Sequence, residues 1–234
     1  MRYVIKYTKG ADIKFISHLD LMRIIQRIIR RTDIPIKYSK GFNPHMAISI
    51  AQPLSVGVYS DGEYMDIVLD GELNENEIIE KLNEKTVRGI RFLEAKKVRE
   101  VLEGEKKLPQ AMALLDAVRC TIKMPISSEE GITKKLEDIL AQESWVTMKK
   151  SKKGPKEADI RPFVKDIKCY VEGGNLVINT LIATGSREHL SPDLLARYIK
   201  SNIENVIEDE FIDIKREEMY VLRDEEYIPL YKSI

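Results

Sequence analysis

Two changes of hydrophobic period within the first hundred residues leave this chain few folds to choose from. Residues 2–8 (RYVIKYT) alternate polar and apolar side chains of β-branched and aromatic type, the pattern of a strand. Ser17 then opens a helix: it is a good N-cap, and Asp20 three residues on imitates a capping box with a shorter acid. At about 100° per residue, Leu21, Ile24, Ile25, Ile28 and Ile29 share one arc of that helix. Arg23, Arg27, Arg30 and Arg31 share the opposite arc, so one face packs and the other is a row of guanidinium groups. Past Thr32 the pattern predicts a short strand at 36–38, a Gly/Asn/Pro loop at 39–46 (SKGFNPHM) and further pairing at 47–51. Residues 63–69 alternate as a strand, Asn74 caps a second helix carrying Ile78, Ile79 and Leu82, and residues 90–98 return as a strand. The order is β-α-β-β-α-β, a ferredoxin-like arrangement.

The same order recurs further along. It predicts a strand at 118–124, a helix capped by Ser127 or Ser128 and reaching Gln142, and a strand at 145–149 followed by a basic loop at 150–157. A hairpin joins 164–171 to 176–183 across Glu172-Gly173-Gly174-Asn175. Ser191-Pro192 starts a helix with proline in its first turn, and 212–222 closes the unit. The expected fold is α+β, two tandem ferredoxin-like domains. The first covers 1–100 and the second 117–222, with a linker at 101–116 (helical over 110–115) and a charged tail at 223–234.

Composition narrows function by exclusion. The chain has 234 residues, 43% hydrophobic and 32% charged, enough for a real core. No apolar run reaches the ~18 residues of a membrane span, and the N-terminus MRYVIKYTKG lacks a signal peptide's apolar stretch, so a cytoplasmic chain without membrane contact is expected. Two cysteines, Cys120 and Cys169, cannot build a disulfide framework or hold an iron–sulfur cluster, and they read as core thiols. No P-loop or GxSxG elbow is present. With neither HxxxH nor CxxC, no metal or cofactor is expected.

The charge balance of 38 Lys+Arg against 38 Asp+Glu hides strong segregation. Residues 1–50 hold ten basic and three acidic side chains, and residues 144–168 hold eight and three. Residues 51–143, between them, and 169–234, after them, are acidic on balance. Local basic blocks in a neutral chain point to a local anionic partner. The first block carries the row Arg23, Arg27, Arg30 and Arg31, with Lys37, Tyr38, Lys40 and Phe42 just downstream. Guanidinium forks pair with phosphate oxygens, and Tyr38 and Phe42 are suited to stacking on unpaired bases. Without Glu partners one turn away, these arginines repel each other until an anion relieves them. The second block carries Lys149, Lys150, Lys152, Lys153 and Lys156, point charges that grip a backbone without reading sequence. Arg161, held on extended backbone by Pro162, follows it. His18 and His45 are weak catalytic candidates. If the helix start and the 39–46 loop met, two imidazoles could serve as general base and acid on a phosphodiester.

The segments 17-SHLDLMR-23, 30-RRTDIPIKYSKGFNPHMAIS-49, 53-PLSVGVYSDGEYMDI-67 and 159-DIRPFV-164 resemble the radical SAM-linked protein family of unknown function, over nearly the whole chain. Members of that family occur fused to, or encoded beside, a radical SAM enzyme with a B12-binding region, and often near genes of RNA and ribosome metabolism. Ser17, His18, Asp20, Arg23, Arg31, Gly41, Phe42, Pro44 and His45 match its recurrent pattern, and no catalytic role comes with them. A more distant architectural similarity is to the CRISPR repeat-processing RNA endonucleases, but no Gly-rich loop precedes the last expected strand. The leading expectation is an accessory protein, not catalytic by itself, that binds RNA or presents a substrate to a separate radical SAM enzyme. The alternatives are an RNA endonuclease or modifying enzyme using His18 and His45, and a protein-interaction scaffold.

Overall fold

The N-terminal alternation becomes strand β1 (Arg2–Lys9), in which Tyr3, Ile5 and Tyr7 are fully buried. In the computed structural model, which describes residues 1–99, 104, 107–151, 154–185 and 187–234, the protein is α+β with a mostly antiparallel sheet. It divides into two units, Met1–Asp116 with Glu218–Ile234, and Ala117–Glu217.

In the first unit β1 is followed by α1 (His18–Arg30), β2 (Ile48–Ile50), β3 (Val58–Val68), α2 (Glu75–Glu84), β4 (Ile90–Lys97) and α3 (Ala111–Leu114). Strand β1 lies between β4 and β3, antiparallel to both. Strand β2 takes the other edge of β3, Ile48 opposite Ile67 and Ile50 opposite Met65. One face of the sheet carries the core: Tyr3, Ile5, Tyr7, Met65, Ile67 and Phe92 pack with Leu21, Ile25, Ile28 and Ile29 of α1 and Ile78 and Leu82 of α2. Period-two strands and period-3.6 helices each give one apolar side, and the two sides meet here.

The opposite face of this sheet is also covered, although it is polar. Arg2 donates through Nη2 to the carbonyls of Leu108 and Pro109 at 2.7 and 3.0 Å. Buried Asp66 accepts the Ala111 backbone N–H at 2.8 Å, which fixes the start of α3. Burial pushes the Asp66 carboxyl above its ordinary range, while the Ala111 N–H and the Arg2 guanidinium act the other way.

The second unit holds β5 (Ala117–Pro125), α4 (Ile132–Leu140), β6 (Val146–Ser151), β7 (Gly154–Asp159), β8 (Val164–Glu172), β9 (Asn175–Ala183), α5 (Pro192–Asn202) and β10 (Asp213–Arg223). The order across it is β10-β5-β9-β8, and among the described residues β6 and β7 pair only with each other. Between β8 and β9, Gly173 and Gly174 have φ of 57° and 73°. Two successive left-handed residues make the turn whose twist matches its strands. Ser191 caps α5 by accepting the Leu194 N–H at 3.2 Å.

The chain re-enters the first unit within β10, at Glu218. Its carboxylate meets the Lys6 ammonium at 2.6 Å and accepts the Tyr64 hydroxyl at 2.7 Å. Beyond it β11 (Glu226–Pro229) pairs back on β10, and a 3-10 turn (Leu230–Lys232) buries Leu230. The Lys6 ammonium also lies 4.9 Å from the centre of the Tyr231 ring. Residues 223–234 are therefore not a free charged tail.

Other expectations also need correcting. Residues 36–38 form only isolated bridges, Ile36 to Leu69 and Tyr38 to Met46, and the strand forms at 48–50 where β3 offers a free edge. Helix α4 is capped by neither Ser127 nor Ser128. Ser127 donates to the Asn205 carbonyl and Ser128 accepts the Glu130 N–H, so the helix starts after Gly131, at φ 71°. The stretch 150–157, expected as a basic loop, lies largely in the β6–β7 hairpin. Arg161 opens a 3-10 turn (Arg161–Phe163) instead of standing on extended backbone, because Asp159 accepts its N–H at 3.0 Å.

Glu218→Ala strands an ammonium and a phenol that are mostly buried, and should cost about 3 kcal/mol in urea unfolding. Glu218→Gln, which keeps an acceptor for Tyr64, should cost less; equal losses would assign the whole effect to the carboxylate charge. Because the folded pKa of Asp66 is raised, folding binds its proton more tightly, and this group's contribution to stability falls as pH rises from the unfolded value through the folded one. Asp66→Asn should therefore gain on the parent as pH rises across that window. A variant that instead loses ground to the parent as pH rises would show the carboxylate to be net favourable.

Candidate nucleic-acid interface

Helix α1 exists because Ser17 caps it and a four-residue apolar arc holds it to the sheet. Ser17 Oγ accepts the Asp20 N–H at 3.2 Å and donates to Asp20 Oδ2 at 2.7 Å. Asp20 in turn holds Arg23 at 2.9 Å. These contacts, Ser17 first and Arg23 second, keep the Asp20 carboxyl below its ordinary range. The first arginine of the row is thus neutralised within the helix.

The rest of the row is different. Arg27, Arg30 and Arg31 are exposed and no ion pair joins them to an acid among the described residues. Arg31 donates to the Arg27 carbonyl at 3.3 Å, a local helix-end contact. The nearest acid in sequence, Asp33, is engaged by Lys81 at 2.6 Å, which lowers its pKa. The chain then turns into the 37–46 segment. The Lys37 N–H donates to the Val68 carbonyl and the Ala47 N–H to the Lys37 carbonyl, both at 2.8 Å. Buried Met46 fastens the far side of the loop to the core. Between these anchors the Ser39 N–H donates to the His45 carbonyl at 2.8 Å, and the His45 N–H to Ser39 Oγ at 2.9 Å. A short closed loop results. Gly41, at φ 122°, takes a conformation other residues avoid, and Phe42 beside it is fully exposed (111%). Tyr38 is 44% exposed, and Lys37, Lys40 and His45 are all exposed.

His18 and His45 do not meet. His18 begins α1 at the Lys9 end of β1, where Lys9 Nζ bonds the carbonyls of Lys14 and Ile16. The 37–46 segment lies at the Arg2 end, beside Val68 and Leu69. The length of β1, on the order of 20 Å, separates the two ends. A base–acid pair on one phosphodiester is excluded by this distance.

In the second unit the basic candidates have mostly structural uses. Lys149 donates to the His189 carbonyl at 2.9 Å and lies 5.7 Å from the Phe163 ring centre. Arg161 stacks over buried Trp145 at 5.0 Å. Asp159 accepts the Trp145 and Arg161 N–H groups, which lowers its pKa. Lys156 is exposed on β7. Lys152 and Lys153 lie outside the described residues, as does the side chain of Lys150. Among the described residues no group of three His, Cys, Asp or Glu is placed to hold a metal ion, and no helix is long and apolar enough to cross a membrane. Sequence reasoning missed Lys6, Tyr64 and Glu218, because nothing local marks partners 212 positions apart.

A family model described as an uncharacterised protein conserved in bacteria (DUF2344) matches residues 2–192. No curated protein matches. Among solved structures, the chain is similar to a chain of a Cbf5–Nop10–Gar1 complex, with a TM-score of 0.50 and 9% identity over 93% of this chain. It spans about half (48%) of that chain, and at such identity the likeness shows the fold alone. An unknown protein from Galdieria sulphuraria also matches, at a TM-score of 0.26 and 11% identity, over 94% of this chain and 98% of that one.

Ser17→Ala should lower stability by about 1 kcal/mol, the usual worth of an N-cap. The Asp20 part of this cap is present above the ordinary carboxylate range and lost as pH falls through its depressed folded value. The variant's deficit, read from thermal melts, should therefore shrink in strong acid. A deficit independent of pH would separate the cap from Asp20.

Proposed function

We propose that this chain, which belongs to that family of uncharacterised bacterial proteins, binds RNA and presents it to a separately encoded enzyme, without chemistry of its own. One observation carries the reading. Arg27, Arg30, Arg31, Lys37 and Lys40 gather at one end of the first unit without acidic partners among the described residues, while Asp20 and Asp33 are taken by other cations. Phosphate oxygens would relieve that repulsion. The family resemblance stated from the sequence motifs suggests a radical SAM enzyme as the recipient, in the cytoplasm. The strand orders β4-β1-β3-β2 and β10-β5-β9-β8 support reading each unit as ferredoxin-like. On this reading the first domain takes in Glu218–Ile234 as well as its N-terminal stretch.

A scaffold reading has its own support at the other end of α1. Phe15 and Leu19 are exposed there, and the Gly57 N–H donates to the Lys14 carbonyl, which brings exposed Val56 alongside. A protein partner held on that patch would not be displaced by RNA.

Anisotropy titration of labelled cellular RNA at several salt concentrations tests the main reading. Affinity should fall linearly on a log–log plot, with a slope near −0.7 per phosphate contact for unpaired strands. Arg27→Glu with Arg30→Glu should weaken binding to all sequences alike and flatten that slope. Lys149→Ala should leave affinity unchanged, since its ammonium already serves the His189 carbonyl. Unchanged affinity in the charge-reversed protein would overturn the proposal.

A further inference from the structure

Downstream of the cation row stands Phe42, whose ring is fully exposed, and this says more about the ligand than charge does. We infer that the site takes an unpaired strand and not a duplex, its phosphates following α1 and one base resting on Phe42; the inference rests on the RNA reading above. Three observations converge on it.

The first is the ring itself. Two other exposed or half-buried phenylalanines have a local cation: Lys14 lies 5.7 Å from the Phe15 ring, and Lys149 the same distance from Phe163. Phe42 has no such neighbour among the described residues, and its exposure exceeds that of an extended chain. The second is presentation. The loop is closed at its base by the paired Ser39 and His45 contacts and anchored by Met46, so the ring is displayed from a fixed stem. The third is spacing. Arg27 and Arg30 stand about one helical turn apart, a rise of about 4.5 Å that two long side chains can span to neighbouring phosphates of one strand. With Arg23 held by Asp20, the available contacts begin at Arg27 and continue through Arg30 and Arg31 toward Lys37 and Lys40.

A duplex leaves Phe42 without a use. In an A-form helix the bases are stacked on each other and the deep groove is closed to side chains, so an isolated ring finds only sugar and phosphate. An unpaired strand offers a base face to the ring and phosphates to the guanidinium groups together. Ser39 Oγ, the hydroxyl of this loop, already accepts the His45 N–H. Stacking of this kind tolerates any base, and weak sequence preference follows.

Short oligoadenylate, oligouridylate and the duplex they form together serve as probes, with affinity measured at fixed salt. Both single strands should bind more tightly than the duplex. Phe42→Ala should weaken single-strand binding about tenfold, with the salt slope unchanged and the duplex affinity unmoved. Phe42→Trp, an exposed reporter that leaves the core alone, should be quenched by the single strands and not by the duplex. If Phe42→Ala binds single strands like the parent, or the duplex binds as well as its strands, the inference fails. In that case a loss in the Arg27→Glu, Arg30→Glu protein would still leave the RNA reading standing. Absence of salt-dependent binding to every probe would sink both. A deoxyribose strand that binds equally well would keep the unpaired-strand site and remove the preference for RNA.

Discussion

The ion pair between Lys6 and Glu218 is the contact on which the first unit depends. It ties the part of β10 that belongs to this unit, 212 positions away, to the strand β1 at the middle of its sheet. The two side chains keep only 15% and 12% of their exposure, and Tyr64 and the Met219 N–H use what remains of the carboxylate. A pair this dry is weak evidence for stability, because desolvation offsets attraction. Its effect is specificity: no apolar substitute would orient Tyr64, Lys6 and the returning chain at once. With that contact made, β11 and the Leu230–Lys232 turn can settle.

This closure decides where a ligand can go. In a small α+β unit whose helices cover one face of the sheet, the other face is the obvious platform for a nucleic acid. Here Val4, Tyr64 and Asp66 of that face are buried, under α3 and the returning chain. Cationic groups remain available along α1 and in the 37–46 segment. The helix itself explains how they are tolerated before a ligand arrives. Arg27 and Arg30 lie in the last turn of α1, where the carbonyl ends of the helix carry partial negative charge worth about 0.3–1 kcal/mol per cation. That attraction offsets part of the mutual repulsion, but it acts on the helix terminus and leaves the guanidinium forks facing water.

What could be read from the sequence was whatever local geometry enforces. Ser17, Asn74 and Ser191 each cap the helix they precede. The Gly173-Gly174 turn forms where two left-handed residues are required. The two faces of α1 also follow directly from its period. Hidden features are those where a distant partner outbids the local signal. Ser127 and Ser128 look like caps, but Asn205 offers Ser127 a carbonyl and receives one from Ser128. Residues 36–38 have strand composition, yet β3 pairs with β2 instead. Residues 223–234 look like a charged tail because Leu230 and Tyr231, the anchors, are outnumbered by charges around them. The expected meeting of His18 and His45 failed for a topological reason. A helix that runs back along its strand carries its two ends to opposite ends of the sheet, so a residue at its start and a loop beyond its finish are kept apart.

Phe42 is the residue that folding energetics leave unexplained. A single exposed apolar side chain is ordinary on a protein surface and asks for no account. This one differs in that the surrounding loop is ordered around it without using it. Gly41 supplies the left-handed turn, Ser39 and His45 close the stem, and Met46 provides the apolar anchor. Because the ring is as exposed in the folded protein as in an extended chain, removing it changes no buried area and should leave stability untouched. The guanidinium groups of Arg27 and Arg30 are exposed too, and their attraction to the helix end is offset by their mutual repulsion. A fold can thus be complete, and its core fully packed, while the ring contributes nothing to holding it together and these cations contribute little. Their energetic return has to come from something outside the chain, and a polyanion with accessible aromatic faces meets both requirements at once.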